Sequence, residues 1–404
     1  MTIPEFPALL DKARALADRF ALSASHYDET GSFPFVNFDA LFSAGLLRLT
    51  ASPAHGGFGG GLTEAQAILA EIARGEPSTA LVLGMHYSHH HAVARGGRWP
   101  AHLVERVTAA NNERVALLNS AQVEPRVGSP SHGAPPETVA RRHGDVWRIS
   151  GHKTYATGIA LLEWVSVLAV TDEPEPRLAS FLVPSKAKGV HVVETWNATG
   201  MRATASHDII LDEVEVPLED IIDPQPLSVG LKRDEFGMAW YFLTIASVYQ
   251  GIARSAGDWV TRFAASHSPG SLGAPLSTVP AIQDGIGDIE LRLAVNDRLL
   301  RTTAEDADAR RPLGVQSGLV KHQVIENAVA VTSRALEIGG NIGLNRNNPL
   351  ERHHRDALCG RAHAPNNGMI RSMAAKAALA RVGTQEPAKP DRPPAPKLTL
   401  VAQS

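Results

Sequence analysis

The sequence predicts an α+β protein, with helices at both ends of the chain and a small β unit between them. Apolar residues recur at helical spacing through the first hundred residues and again after Arg233. Between about Val115 and Pro217 they fall instead in short runs separated by Gly, Pro and Ser. A third observation is length. A chain of 404 residues is too long for one simple core and divides into two or three packed units.

In the N-terminal part, Leu9, Leu10, Ala13, Leu16, Ala17 and Phe20 lie on one helical stripe. Thr63 to Gln66 reads as a capping box for a second helix through Ile72. Between them, HGGFGGG (55–61) lacks the Lys-Ser/Thr of a phosphate loop and the preceding strand of a dinucleotide fingerprint, so it reads as a turn. In GMHYSHHH (84–91), His86 and His90 are one helical turn apart, a spacing that can share a metal. No Cys or carboxylate accompanies them, and no metal is expected. One of these histidines is expected in a pocket, and His86 is the candidate.

The strand candidates are 147–151, 164–170, 178–184, 190–195 and 209–216, enough for a small barrel or sandwich. The last follows a loop of small hydroxylated residues, Thr204 and Ser206, suited to something flat and polar-edged lying against it. After Arg233, Ile282, Ile286, Ile289, Leu293 and Leu300 form one helical stripe. Val320, Val324, Val331, Ala335 and Ile338 form another, in long antiparallel bundle helices. The Pro-rich stretch 384–404 is expected to be a disordered tail. The domains expected are thus 1–114, 115–225 and 226–383.

Composition narrows the function. A net charge of −3 gives no electrostatic case for nucleic acid. No apolar run approaches the ~20 residues of a membrane span, and the N-terminus has no apolar signal core. The single cysteine, Cys359, excludes an intrachain disulfide and fits a reducing compartment, by default the cytoplasm.

Several segments carry a resemblance. GMRATASHDIILDEVEVP (200–217), VEPRVGS (123–129) with Glu124, Pro125, Gly128 and Ser129, and GHKTYATG (151–158) occur in the order and spacing of the acyl-CoA dehydrogenase superfamily middle domain. Pro53 with Gly56 and Gly57 resembles that family's Pro-x-x-Gly-Gly turn. EIGGNIGLNRNNPLERHHRDA (337–357) resembles its C-terminal Gly-rich turn and Arg-Asp element. Glu351, Arg352, Arg355 and Asp356 there read as a structural charge network. The resemblance covers about 1–383 and implies a helical N-domain, a β middle domain and a C-terminal four-helix bundle. It also implies flavin at their junction and a homodimer or homotetramer. The cofactor contacts it implies are Ser129, Lys153, Tyr155, Thr157, Arg202, Thr204 and Ser206.

The chain departs from the dehydrogenase pattern at both places where the family carries a base. Removing a proton beside a thioester carbonyl while hydride leaves for flavin requires a carboxylate in a dry pocket. Counting from Arg355, the family's usual Glu position is Ala364, and the alternative position on the first bundle helix is Tyr241. The family's FAD-phosphate Arg is also missing from the stretch before Gln283, so FMN or a diffusible reduced flavin becomes a candidate. Both departures resemble the flavin-dependent monooxygenases typified by dibenzothiophene monooxygenase. These use reduced flavin from a partner reductase and oxygen, through a C4a-hydroperoxide. On that resemblance His363, His86, Asn119 and Thr157 are the candidate catalytic residues, as hydrogen-bonding groups around developing charge. The alternatives are an acyl-CoA dehydrogenase with a relocated base and a catalytically idle scaffold.

Overall fold

Helices α1 (Phe6–Ala21), α2 (Ala24–Thr30), α3 (Phe35–Ser43), α4 (Leu62–Gly75), α5 (Pro77–Ala94) and α6 (Ala101–Glu113) form the N-terminal part of the computed structural model. The structure describes residues 3–95, 97–130, 133–230 and 234–382. The expected disordered tail, 384–404, lies outside the described residues. Of the first stripe, Leu9, Ala13, Ala17 and Phe20 are buried, and α1 packs along α4.

The start of α4 differs from the expected capping box. The helix begins at Leu62, and the Glu64 carboxylate accepts the Gly61 N–H at 2.8 Å. Asp308, from a distant helix, accepts the Leu62 and Thr63 N–H groups at 2.8 and 2.9 Å. A carboxylate from elsewhere in the fold supplies what a local side chain was expected to supply.

The β unit is built from β1 (Leu117–Ala121), β2 (Val139–His143), β3 (Val146–Ala156), β4 (Leu162–Thr171), β5 (Arg177–Pro184), β6 (Val190–Val193), β7 (His207–Pro217) and β8 (Ile221–Pro226). They form one hydrogen-bonded path, β6-β7-β3-β2-β4-β5-β8, with β1 beside β4. β2 meets β4 over only two residue pairs, so the path folds there into two facing layers. Trp147 of β3 meets Phe181 of β5 edge-on at 5.7 Å across them. In β7 the buried residues run Ile209 and Leu211, then skip to Val214 and Val216. A bulge opposite Ile149–Gly151, with Glu213 at φ 52, absorbs the extra residue and keeps both halves facing the core.

The C-terminal bundle comprises α7 (Glu235–Ser266), α8 (Pro280–Asp308), α9 (Gln316–Gly343) and α11 (Asn367–Val382), with the short α10 (Leu350–Cys359) against α7 and α9. α7 is the central element, packed on α4, α5, α8, α9 and α10. Gly251 lets it approach α4 closely, since a Cβ there would stand 2.4 Å from the Ala70 carbonyl oxygen. Among the described residues, no helix is long and apolar enough to cross a membrane.

Candidate functional site

A cavity of about 730 Å³ opens where α5, α7, the β unit and the segment 359–369 converge. Leu81, Met85, His89 and Ala92 of α5 reach it, spaced along one helical face. That spacing corrects the choice of histidine. His86 points away: its Nε2 lies 3.0 Å from the Leu47 carbonyl and its Nδ1 accepts from Leu118 N at 3.3 Å. It is a buried brace between the N-terminal helices and β1, with burial lowering its pKa to about 4. His89, one turn after Met85, is the α5 histidine on the cavity wall.

The β unit supplies a chain of hydroxyls. Thr204 Oγ1 donates to the Met201 carbonyl at 3.0 Å and lies 2.8 Å from Ser206 Oγ, itself 3.0 Å from Thr157 Oγ1. The chain can run in one direction without leaving a hydrogen unplaced: Thr157 to Ser206 to Thr204 to the carbonyl. Thr157 then presents an acceptor on the cavity wall. Asn119 donates to the Thr157 carbonyl at 2.9 Å and accepts from Ser120 N, fixing the backbone beneath it. Ser129, Tyr155 and Trp196 complete this side. Tyr155 and Met201 both line the cavity at positive φ, 56° and 53°, strain of a kind that concentrates at functional sites.

Two of the cofactor contacts implied by the resemblance stand elsewhere. Lys153 does not reach the cavity. Its ammonium is completely buried 2.6 Å from Glu124 Oε1, a pair that staples the 124–129 loop to β3. Burial alone would raise the Glu124 pKa, but the hydrogen bonds from Lys153 and Thr138 outweigh it and hold the carboxylate below its ordinary range. Arg202 donates to the Asp28 carbonyl at 2.6 Å and the Ala198 carbonyl at 3.0 Å, tying the loop to α2. Long cationic side chains in a Gly-rich loop resemble ligand contacts in sequence; here each is consumed by a partner inside the protein.

The charge network expected at 351–356 exists and holds the far wall. Arg355 pairs with Asp28 at 2.6 Å and with Glu351 at 2.7 Å, and donates to the Thr199 carbonyl. Asp356 accepts the Met201 N–H at 2.6 Å, and burial raises its pKa to about 7. Beyond α10, His363 lines the cavity with Ala364 and Pro365. Its Nε2 lies 2.7 Å from Tyr249 Oη. Burial, aided by the nearby Lys321 charge, lowers its pKa to about 3. Desolvation thus favours the uncharged ring, in which His363 serves as a hydrogen-bonding group. Tyr241 also lines the cavity, so both empty base positions face the same space. Among the described lining residues there is no Asp, Glu, Lys or Arg.

Family models for the acyl-CoA dehydrogenase N-terminal, middle and C-terminal domains match residues 4–98, 120–214 and 237–379. The chain belongs to the acyl-CoA dehydrogenase superfamily. A putative acyl-CoA dehydrogenase of Bacillus subtilis (strain 168), YdbM, is 33% identical over 372 residues, covering 91% of this chain and 96% of its own. The structure of TdsC from Paenibacillus sp. A11-2 with FMN and indole superposes with a TM-score of 0.81 at 25% identity, over 93% of this chain and 98% of that one. Butyryl-CoA dehydrogenase from Megasphaera elsdenii shares the fold, with a TM-score of 0.84 at 19% identity over 94% and 99% of the two chains. The superfamily membership agrees with the resemblance read from residues 123–129, 151–158 and 200–217. Sequence reasoning missed His89, Tyr249 and Lys321; of these only His89 left a signal, its four-residue spacing from Met85.

Proposed function

We propose that this superfamily member is a two-component flavin-dependent monooxygenase, taking reduced flavin from a partner reductase and oxygen and a small molecule as substrates. The observation that carries this reading is the absence of a carboxylate from the described cavity wall, with Ala364 and Tyr241 at both positions where dehydrogenases hold their base. His363 is a poor substitute base: its Nε2 is engaged by Tyr249 Oη at 2.7 Å, and desolvation lowers the affinity of the ring for a proton.

The wall fits a flavin ring. It is about 730 Å³ in volume, with aromatic Trp196, Tyr155 and Tyr241 and a row of hydroxyls. Ser129, Tyr155, Thr157, Thr204 and Ser206 would hold the ring. The acceptor that Thr157 presents would suit a ring N–H group, of which reduced flavin carries more than oxidised flavin. Bound flavin supplies two electrons for the reduction of oxygen. Asn119 orients the Thr157 backbone, His363 supplies an uncharged hydrogen-bonding group, and the apolar side chains of α5 exclude water. FMN is favoured over FAD by the missing Arg before Gln283, and FMN is present in the TdsC structure. Exposed Leu291 and Val295 on α8 support assembly as a homodimer or homotetramer through the bundle.

The competing reading is acyl-CoA dehydrogenation, favoured by the name of the Bacillus relative. Two assays separate them. Stopped-flow mixing of the protein and reduced FMN with oxygen should give a long-lived intermediate spectrum, and anaerobic acyl-CoAs of any chain length should leave bound flavin oxidised. Rapid bleaching by an acyl-CoA would overturn the monooxygenase reading. Failure to bind any form of FMN or FAD would overturn both.

A further inference from the structure

His363 is held by two buried residues from different bundle helices, and together they decide which of its nitrogens carries the proton. Tyr249 on α7 is completely buried, and burial raises its phenol pKa well above 10, so it keeps its hydrogen. A buried O–H needs an acceptor. The partner within reach is His363 Nε2 at 2.7 Å. If Nε2 carried the ring proton, it would donate to the phenol oxygen and leave the phenol hydrogen with nowhere to go. The phenol therefore donates to Nε2, and the ring proton sits on Nδ1.

The second residue is Lys321 on α9, completely buried with no carboxylate paired to it among the described residues. Its Nζ donates to the carbonyls of His363 and Pro365, both at 2.8 Å. Those carbonyls bracket Ala364, so Lys321 fixes the stretch of backbone that carries the imidazole into the cavity. Burial lowers the Lys321 pKa to about 7, and either protonation state retains the two N–H donors this needs. When charged, Lys321 also opposes a second proton on the ring.

We propose that Tyr249 and Lys321 are positioning residues that present His363 to the cavity as an uncharged Nδ1–H donor. The proposal rests on the cavity being the reactive site, as argued above. A donor of fixed direction can stabilise negative charge developing on oxygen without transferring its proton. Neither residue itself lines the cavity, so each acts through His363 and its backbone.

The test is NMR of the flavin-free protein labelled with ¹⁵N-histidine, with the His363 signals assigned by their loss in His363→Gln. The parent should show a protonated Nδ1 and a bare Nε2. Tyr249→Phe, which removes only the hydroxyl, should convert His363 to a mixture of tautomers and lower oxygen-dependent turnover about tenfold at unchanged KM for the substrate. Lys321→Met should move the His363 titration upward, because it removes the positive charge that opposes protonation of the ring. A parent protonated on Nε2, a tautomer unchanged in Tyr249→Phe, or a titration unmoved in Lys321→Met would overturn the proposal. Tyr249→Phe keeps the residue's packing and so guards against a Lys321→Met variant that fails to fold. The spectra need no flavin, so absence of oxygen chemistry would sink the monooxygenase reading while leaving the tautomer result standing.

Discussion

Lys153→Met separates a structural role for the Gly-x-Lys motif from a cofactor-binding one. The substitution removes the ammonium 2.6 Å from Glu124 and leaves a buried carboxylate behind. Breaking a buried pair in this way typically costs about 3–5 kcal/mol. Glu124 retains three other donors, from Glu137 N at 2.6 Å, Thr138 N at 3.0 Å and Thr138 Oγ1 at 2.6 Å. These place the expected loss at the lower end, about 3 kcal/mol. The pH dependence gives a second readout. In the parent, Glu124 titrates below its ordinary value, so its contribution is present above that value and lost as pH falls through the folded pKa. Without Lys153, burial raises the Glu124 pKa, and protonation on acidification relieves the unpaired charge. The deficit measured by urea unfolding should therefore be largest near pH 7.5 and smaller near pH 5. Adding Glu124→Gln, which removes the charge and keeps a carbonyl acceptor for the Thr138 donors, should recover part of it, while FMN affinity of the folded Lys153→Met protein stays at the parent value. A Lys153→Met variant as stable as the parent but unable to bind flavin would refute the reasoning and return Lys153 to the cofactor site.

Three further outcomes are expected. Asp356, raised by burial from 3.8 to about 7, contributes stability that is full below 3.8 and lost as pH rises through about 7, a swing of about 4 kcal/mol; Asp356→Asn keeps an acceptor for Met201 N–H and should flatten the parent's decline in urea-unfolding stability between pH 5 and 8. In Gly200→Ala, the new Cβ would stand 2.5 Å from the Arg355 carbonyl oxygen, and overpacking should cost about 1–3 kcal/mol in thermal unfolding and weaken FMN binding as the Thr199–Met201 turn shifts. Thr157→Val breaks the hydroxyl chain at its cavity end and should weaken FMN about fivefold, the equivalent of about 1 kcal/mol, in a fluorescence titration.

By itself the sequence determined the fold class and the family. Both are properties of periodicity and local motif. The stripes at Leu9–Phe20 and Ile282–Leu300 require helices with one buried face, and the small-residue loop at 200–206 ends in a strand that Pro217 closes. The empty base positions at Ala364 and Tyr241 were equally legible, because each is counted along the chain from a motif residue. What only the tertiary structure decided is the fate of each polar side chain. Whether His86 or His89 faces the cavity depends on how α5 is rotated against the β unit, and adjacent helical positions differ by about 100°. Lys153 and Arg202 looked like ligand contacts until Glu124, Asp28 and Ala198 were found in front of them. Tyr249 lies 114 residues from His363, so nothing local to either could announce the bond that fixes the imidazole. A hydrogen bond or ion pair acts over about 3 Å in space and at any separation in sequence; local patterns specify the elements, and only their packing assigns a partner to each charge and proton.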